Sequence, residues 1–224
     1  MRVAAIALVA LGLQAIPPQV TQVQEWFEAG RYQQIVDVAS QTSDPLTKYL
    51  VASSHDRLGQ FEDARRVYSE LAALGDADPW AWIGRSANAL VTSNAESPLP
   101  DALASAQEGA QQAVTMLTAD PQNPALAFAQ YQLGSVHAYG MDYVNAAAAF
   151  DQAAELAPSF AYAHYYAGLA YSNIERTDQM AIRFERFLRL APRAPEASLV
   201  QSLMSSSGSI PVGSTRSTVP VSTS

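Results

Sequence analysis

The chain has 224 residues, 49% hydrophobic and 15% charged, which is enough to bury one sizeable core or a short repeat array and excludes disorder as its main state. It has no cysteine, which removes disulfides, thiolate metal sites and a cysteine nucleophile together. A net charge of −8 argues against nucleic acid as a partner, because phosphate binding needs clustered lysine and arginine.

In chain order, residues 1–15 come first: Met-Arg, an apolar run from Val3 to Leu13, then Gln14-Ala15 ahead of Ile16-Pro17-Pro18. One positive charge, a short apolar run and small residues before a proline break have the three-region layout of a secretory signal, with cleavage expected after Ala15 and Gly12 as the rival position, since Leu13 suits an A-x-A-like site poorly. The run is too short to span a bilayer, which takes about 20 apolar residues. The competing reading is an amphipathic or buried first helix of a cytoplasmic protein. Export to the periplasm or outside the cell is the expectation, and absence of cysteine is compatible with it.

Beyond this segment the chain is periodic. Pro45 and Pro79 lie 34 apart, each preceded by aspartate; Pro124, Pro158 and Pro192 follow at 34 and 34, and Gly134 and Gly168 repeat at the same interval. Apolar positions between them keep helical spacing, and each proline falls where one helix stops and the next starts. The period therefore predicts two helices per unit. From Pro79 to Ala127 is 48 positions, 14 more than one period, and the surplus around 92–103 contains Ser97-Pro98-Leu99-Pro100-Asp101, which predicts a loop between the two helices of the third unit, with Asp101 or nearby residues opening the second. Residues 193–204 predict a capping helix, with Leu199, Leu203 and Met204 covering the end of the stack. The Ser/Thr/Pro-rich segment 205–224 predicts a disordered tail.

Counted from Ala161, the eighth place holds Gly168, the eleventh Tyr171, the twenty-fourth Phe184, and Pro192 closes the unit. Counted from Ala127, the same places hold Gly134, His137, Phe150 and Pro158, with Ala146 twentieth. From Pro45 they hold Ala52, His55 and Tyr68, with Ala64 twentieth and the turn Gly59-Gln60-Phe61 between the helices. From Pro79, Trp82 is fourth and Ser86 eighth, and an incomplete first unit repeats the turn as Gly30-Arg31-Tyr32 after Trp26. These residues resemble the tetratricopeptide repeat over about residues 17–192, although Met180 replaces a small residue and Thr177 the turn aromatic. The resemblance implies an all-α, right-handed superhelical array of antiparallel helix pairs, about four to five repeats, at 17–44, 45–78, 79–126, 127–160 and 161–192. Small residues let paired helices approach while large ones fill the space beside the contact.

The family's second, fifth, ninth and twelfth positions line a concave groove. Carried over, they place Tyr49, Trp80, Phe128, Tyr131, Tyr162 and Tyr165 there, an aromatic and nearly uncharged surface suited to an extended or helical peptide. Some of these rings would alternatively pack between units. Between Arg85 and Arg176 there is no lysine or arginine, and eight acids equal the whole net charge, so a basic or neutral partner is expected over an acidic one. Arginines 176, 183, 186, 189 and 193 read as a solvated helix face, or else as a docking surface for an acidic partner.

No metal or cofactor is expected. The three histidines are His55, His137 and His164, the first two at the packing eleventh position. There is no H-E-x-x-H pair, phosphate loop or G-x-S-x-G elbow. The sequence thus predicts a non-enzymatic protein- or peptide-binding scaffold in an exported envelope complex. A self-assembling array, or an accessory subunit of an enzyme complex, is the alternative.

Overall fold

The computed structural model describes residues 20–96 and 100–207. Among these residues there are eleven helices and no strand: α1 Val20–Glu28, α2 Tyr32–Ala39, α3 Pro45–Arg57, α4 Phe61–Ala72, α5 Pro79–Glu96, α6 Pro100–Leu117, α7 Ala125–Tyr139, α8 Tyr143–Leu156, α9 Ala161–Asn173, α10 Thr177–Leu190 and α11 Ala197–Ser207. Consecutive helices pack against one another, so the chain is five helix pairs and a last single helix. The segment 1–15 and residues 208–224 of the tail lie outside the described residues.

Local chemistry starts the first helices of several units. The Asp44 carboxylate accepts from the Thr47 N–H at 2.7 Å, just ahead of Pro45 at the first helical position. Asp78 does the same for Trp80 at 2.9 Å, and the Asn123 side chain for Ala125 at 3.0 Å. Each satisfies a helix-start N–H that has no carbonyl behind it.

The turn inside each of four pairs is one motif. The N–H groups of Arg31, Gln60, Asp142 and Arg176 donate to the carbonyls of Trp26, His55, His137 and Tyr171 at 2.8, 2.9, 2.8 and 3.0 Å. The preceding residues, Gly30, Gly59, Met141 and Glu175, have φ of 70°, 72°, 60° and 57°. This is a helix end closed by a left-handed residue and a six-to-one bond. Glycine fits it without steric cost, and two units place methionine and glutamate there instead.

Small and large residues interlock where paired helices cross. A Cβ on Gly134 would lie 2.8 Å from ring carbons of Phe150, and one on Gly168 would overlap the ring of Phe184. Phe150 and Phe184 are themselves buried, with Ala64, Tyr68 and Ala146 buried at the related places. In the third pair the Ser86 hydroxyl donates to the Ala106 carbonyl at 2.6 Å. Trp82 stays half-exposed, its indole N–H bonded to the Asp76 carbonyl and the Arg85 guanidinium 4.3 Å from its ring. Tyr171 reaches back one unit, donating to Asp151 at 2.7 Å, and Arg183 pairs with the same carboxylate at 2.9 Å.

Two boundaries differ from expectation. The surplus of the third unit is helical over 92–96 and again from 100: α5 and α6 each run 18 residues, against 13 and 12 in α3 and α4. Thr-Ser-Asn-Ala-Glu at 92–96 contains no breaker, and Pro100 is tolerated as a first helical residue. At the other end α11 continues to Ser207, past the expected 204, and buries Val200 while Leu203 and Met204 pack against the core. Leu199 is half-exposed and does not cap the stack.

The array curls until its first pair touches its last. The hydroxyls of Tyr32 and Tyr162 lie 3.0 Å apart, Phe27 meets the Tyr162 ring edge-on at 5.4 Å, and a Cβ on Gly30 would lie 2.5 Å from Pro195. Arg57 at the end of α3 pairs with Glu196 at the start of α11 at 2.5 Å. Among the described residues, no helix is long and apolar enough to cross a membrane.

Candidate functional site

The odd-numbered helices α1 to α9 form the inside of the curl, and their inward side chains build one continuous aromatic cluster. Ring centroids link Trp80 to Phe128 at 5.6 Å, Phe128 to Phe160 at 4.9 Å, Phe160 to Tyr131 at 5.0 Å, and Tyr131 to Tyr166 at 5.7 Å. Tyr166 continues to Tyr165 at 5.0 Å, and Tyr165 to Tyr162 at 6.1 Å. Tyr49 joins Trp80 and Phe128 at 6.2 and 5.8 Å. All six residues expected to line the groove are therefore brought together.

They do not form an open groove. Tyr49, Phe128, Tyr162 and Tyr165 are buried, Tyr162 completely, and only Trp80 and Tyr131 are partly exposed. Phe27 and Tyr32 of the first helix pair cover the inner face around Tyr162, while Tyr49 packs on Tyr68 and Phe128, Phe128 on Phe160, and Tyr165 on Phe184 and Phe187. Four of the six rings thus face other rings, where edge-on and tilted arrangements add to the burial of their area.

What remains accessible inside the curl is a pocket of about 330 Å³. Its walls come from the fifth, ninth and twelfth places of three successive units: Tyr49, Ser53 and Asp56 of α3, Ala87 and Leu90 of α5, Tyr131, Ser135 and Ala138 of α7. The sixth place adds Leu50, Gln132 and Tyr166, and Arg57, Tyr68 and Tyr139 add to the polar lining. A fixed set of four positions misses the sixth-place residues, although a tyrosine and a glutamine on otherwise apolar helices would have flagged them.

Hydrogen bonds hold this lining in place. The Tyr49 hydroxyl donates to Gln132 at 3.2 Å, and the hydroxyls of Ser53 and Tyr68 share a bond of 2.8 Å. Arg57 donates to the Tyr166 hydroxyl at 2.9 Å and to Glu196, whose other oxygen accepts from Tyr162 at 3.0 Å. Its guanidinium also lies 4.9 Å from the Tyr162 ring centroid. The one cation of the pocket is therefore engaged on several sides. Burial pushes the phenols of Tyr49, Tyr68 and Tyr131 above their ordinary range, so they stay protonated and present both donor and acceptor.

A second cavity of about 240 Å³ lies between α1 and the α8–α9 connection, with Glu28 on its wall. The Glu28 carboxylate accepts from the Ala161 N–H at 3.5 Å, and burial raises its pKa to about 7. The histidines are structural in their contacts. His55 is bonded to Gln60 at 2.6 Å, and His137 lies 3.4 Å from Asp142, each reaching into its own turn. His164 is buried against the Pro158 carbonyl, and desolvation lowers its pKa. Among the described residues, no group of three or more histidines and carboxylates is placed to hold a metal.

Antiparallel helix pairs at a 34-residue period, closed by one recurrent turn and interlocked at fixed small and large positions, define a tetratricopeptide-repeat solenoid. A solved structure carries the same architecture. The chain is similar to TTC0263, a thermophilic tetratricopeptide-repeat protein of Thermus thermophilus, at 18% identity over 84% of this chain and 95% of that one, with a TM-score of 0.60. Weaker likenesses are to YrrB, described as a tetratricopeptide-repeat protein with an unusual peptide-binding site (14% identity, 82% and 90% covered, TM-score 0.45), and to MamA (18%, 72% and 85%, 0.43). No protein-family model and no curated protein matches the sequence.

Proposed function

We propose that this chain is a non-enzymatic binding module that receives a segment of a protein or peptide in the pocket inside the curl. The observation that carries this reading is the pocket itself: three successive units contribute to it from the same repeat positions, and its wall alternates apolar surface with anchored hydroxyls. Such a wall covers apolar side chains while bonding a peptide backbone. With no lysine or arginine from 86 to 175, the walls contributed by α7 and most of α5 favour a neutral or basic segment.

The test fills the pocket. Ser135 and Ala138 line it and are partly exposed, so Ser135→Trp and Ala138→Trp occlude it. Peptides selected from a displayed random library on the full chain should bind the parent and lose binding to both variants at unchanged helical content. Selected peptides that bind the occluded variants equally well would place the site elsewhere.

Export is proposed separately, on the layout of residues 1–15 alone. Mass spectrometry of the mature chain from its host decides it, since a retained Met1 removes the proposal.

A further inference from the structure

The pocket has an unbalanced charge inventory. Arg57 is its one cation, and Glu196 at 2.5 Å, the Tyr166 hydroxyl and the Tyr162 ring already engage it. The carboxylate of Asp56, next to it in sequence and also on the pocket wall, makes neither a hydrogen bond nor an ion pair among the described residues. It lies close enough to the phenols of Tyr49, Tyr68 and Tyr166 for its charge to act on each.

We propose that the pocket takes a positively charged side chain, lysine or arginine, of an extended peptide, with the Asp56 carboxylate as counter-ion and tyrosines 49, 68 and 166 around it. The proposal rests on the reading of this pocket as the peptide site and names the chemistry it selects. Three observations favour a cation over an anion or an apolar group. A ligand carboxylate would meet Asp56 and find Arg57 already paired. An apolar ligand would bury Asp56 against hydrocarbon without a partner, which is costly for a charge. A cation gains the carboxylate, with the phenol groups of Tyr49, Tyr68 and Tyr166 near it. Burial holds the Asp56 carboxyl above its ordinary value against the pull of Arg57, as expected of a charge short of compensation. A volume of about 330 Å³ suits one long side chain and its flanking backbone, not a docked helix.

The experiment titrates the full chain with four capped tripeptides, Ala-X-Ala with X as lysine, arginine, norleucine or glutamate, following the methyl resonances of Leu50, Leu90 and Val91. The lysine and arginine peptides should shift these methyls saturably, norleucine should bind about tenfold or more weakly, and glutamate should not bind. Asp56→Asn should bring the lysine peptide down to the norleucine level. Equal binding of lysine and norleucine, or an unchanged affinity in Asp56→Asn, overturns the cation assignment while leaving the pocket as a peptide site. Failure of every peptide to move these methyls overturns both. If Asp56→Asn does not fold, the lysine-to-norleucine ratio on the parent chain decides alone.

Discussion

Tyr32 and Tyr162, 130 positions apart in the chain, place their hydroxyls 3.0 Å from one another. Tyr162 also donates to Glu196, which pairs with Arg57, so one network ties the first, second and fifth helix pairs to α11. The inner face of the array owes its closure to this network.

Removing its carboxylate is the direct test. Glu196→Ala takes the charged acceptor from the Arg57 guanidinium and the Tyr162 hydroxyl, leaving Arg57 its bond to Tyr166 and Tyr162 its bond to Tyr32. The expected loss is about 1.5–3 kcal/mol in urea denaturation, the range for hydrogen bonds to charged groups. Hydrogen exchange should accelerate in α1 and α2 more than in α7 and α8, because the first pair is held to the last by few other contacts.

Glu28 makes the closure depend on pH. Its folded pKa of about 7 lies above the ordinary 4.5, with burial the main cause and the Ala161 N–H opposing it. Above the ordinary value the unfolded chain releases its proton while the folded chain retains it. Stability therefore falls from about pH 4.5 to about 7, and the full cost is present above that. Glu28→Gln should flatten this slope, so its gain in melting temperature over the parent is larger at pH 8 than at pH 4.

Met141 occupies a left-handed position that two sister units give to glycine, and the residue is 75% exposed. Met141→Gly removes the steric cost and forfeits little packing, so it should stabilise the chain by about 1 kcal/mol. Glu175→Gly should act in the same direction. Denaturant midpoints at constant slope check both.

Gly134 and Phe150 form one packing unit, which a double-mutant cycle can read. Gly134→Ala should cost about 1–3 kcal/mol by overpacking, and Phe150→Ala about 3–5 kcal/mol by leaving a cavity. The double variant should be more stable than the sum of the two, because the added methyl enters the space the ring has left. Strict additivity would show that the two residues do not share a contact.

Much of the fold was legible because its determinants are local. The glycines at 30 and 59, the aspartates before Pro45 and Pro79, and the small residues facing Phe150 and Phe184 each report a contact within one helix pair. The start of the loop expected around 92–103 was misplaced because serine and proline signal a break without locating it: residues 92–96 extend α5, whereas α6 opens at Pro100, beside the expected Asp101. The cap was half-legible for a similar reason. Helical spacing put Leu199 among its covering residues, but the angle at which α11 docks turns Val200 inward instead.

The sequence by itself determined the unit: two helices per 34 residues, the turn between them, the interlocking pairs, and which faces point inward. Only the tertiary structure decided how far the array curls. Curvature accumulates from small rotations at every interface between units, and no single period encodes it. That sum brings Tyr32 to Tyr162 and Arg57 to Glu196. It turns most of an aromatic surface into core, and leaves Asp56 facing the space that remains.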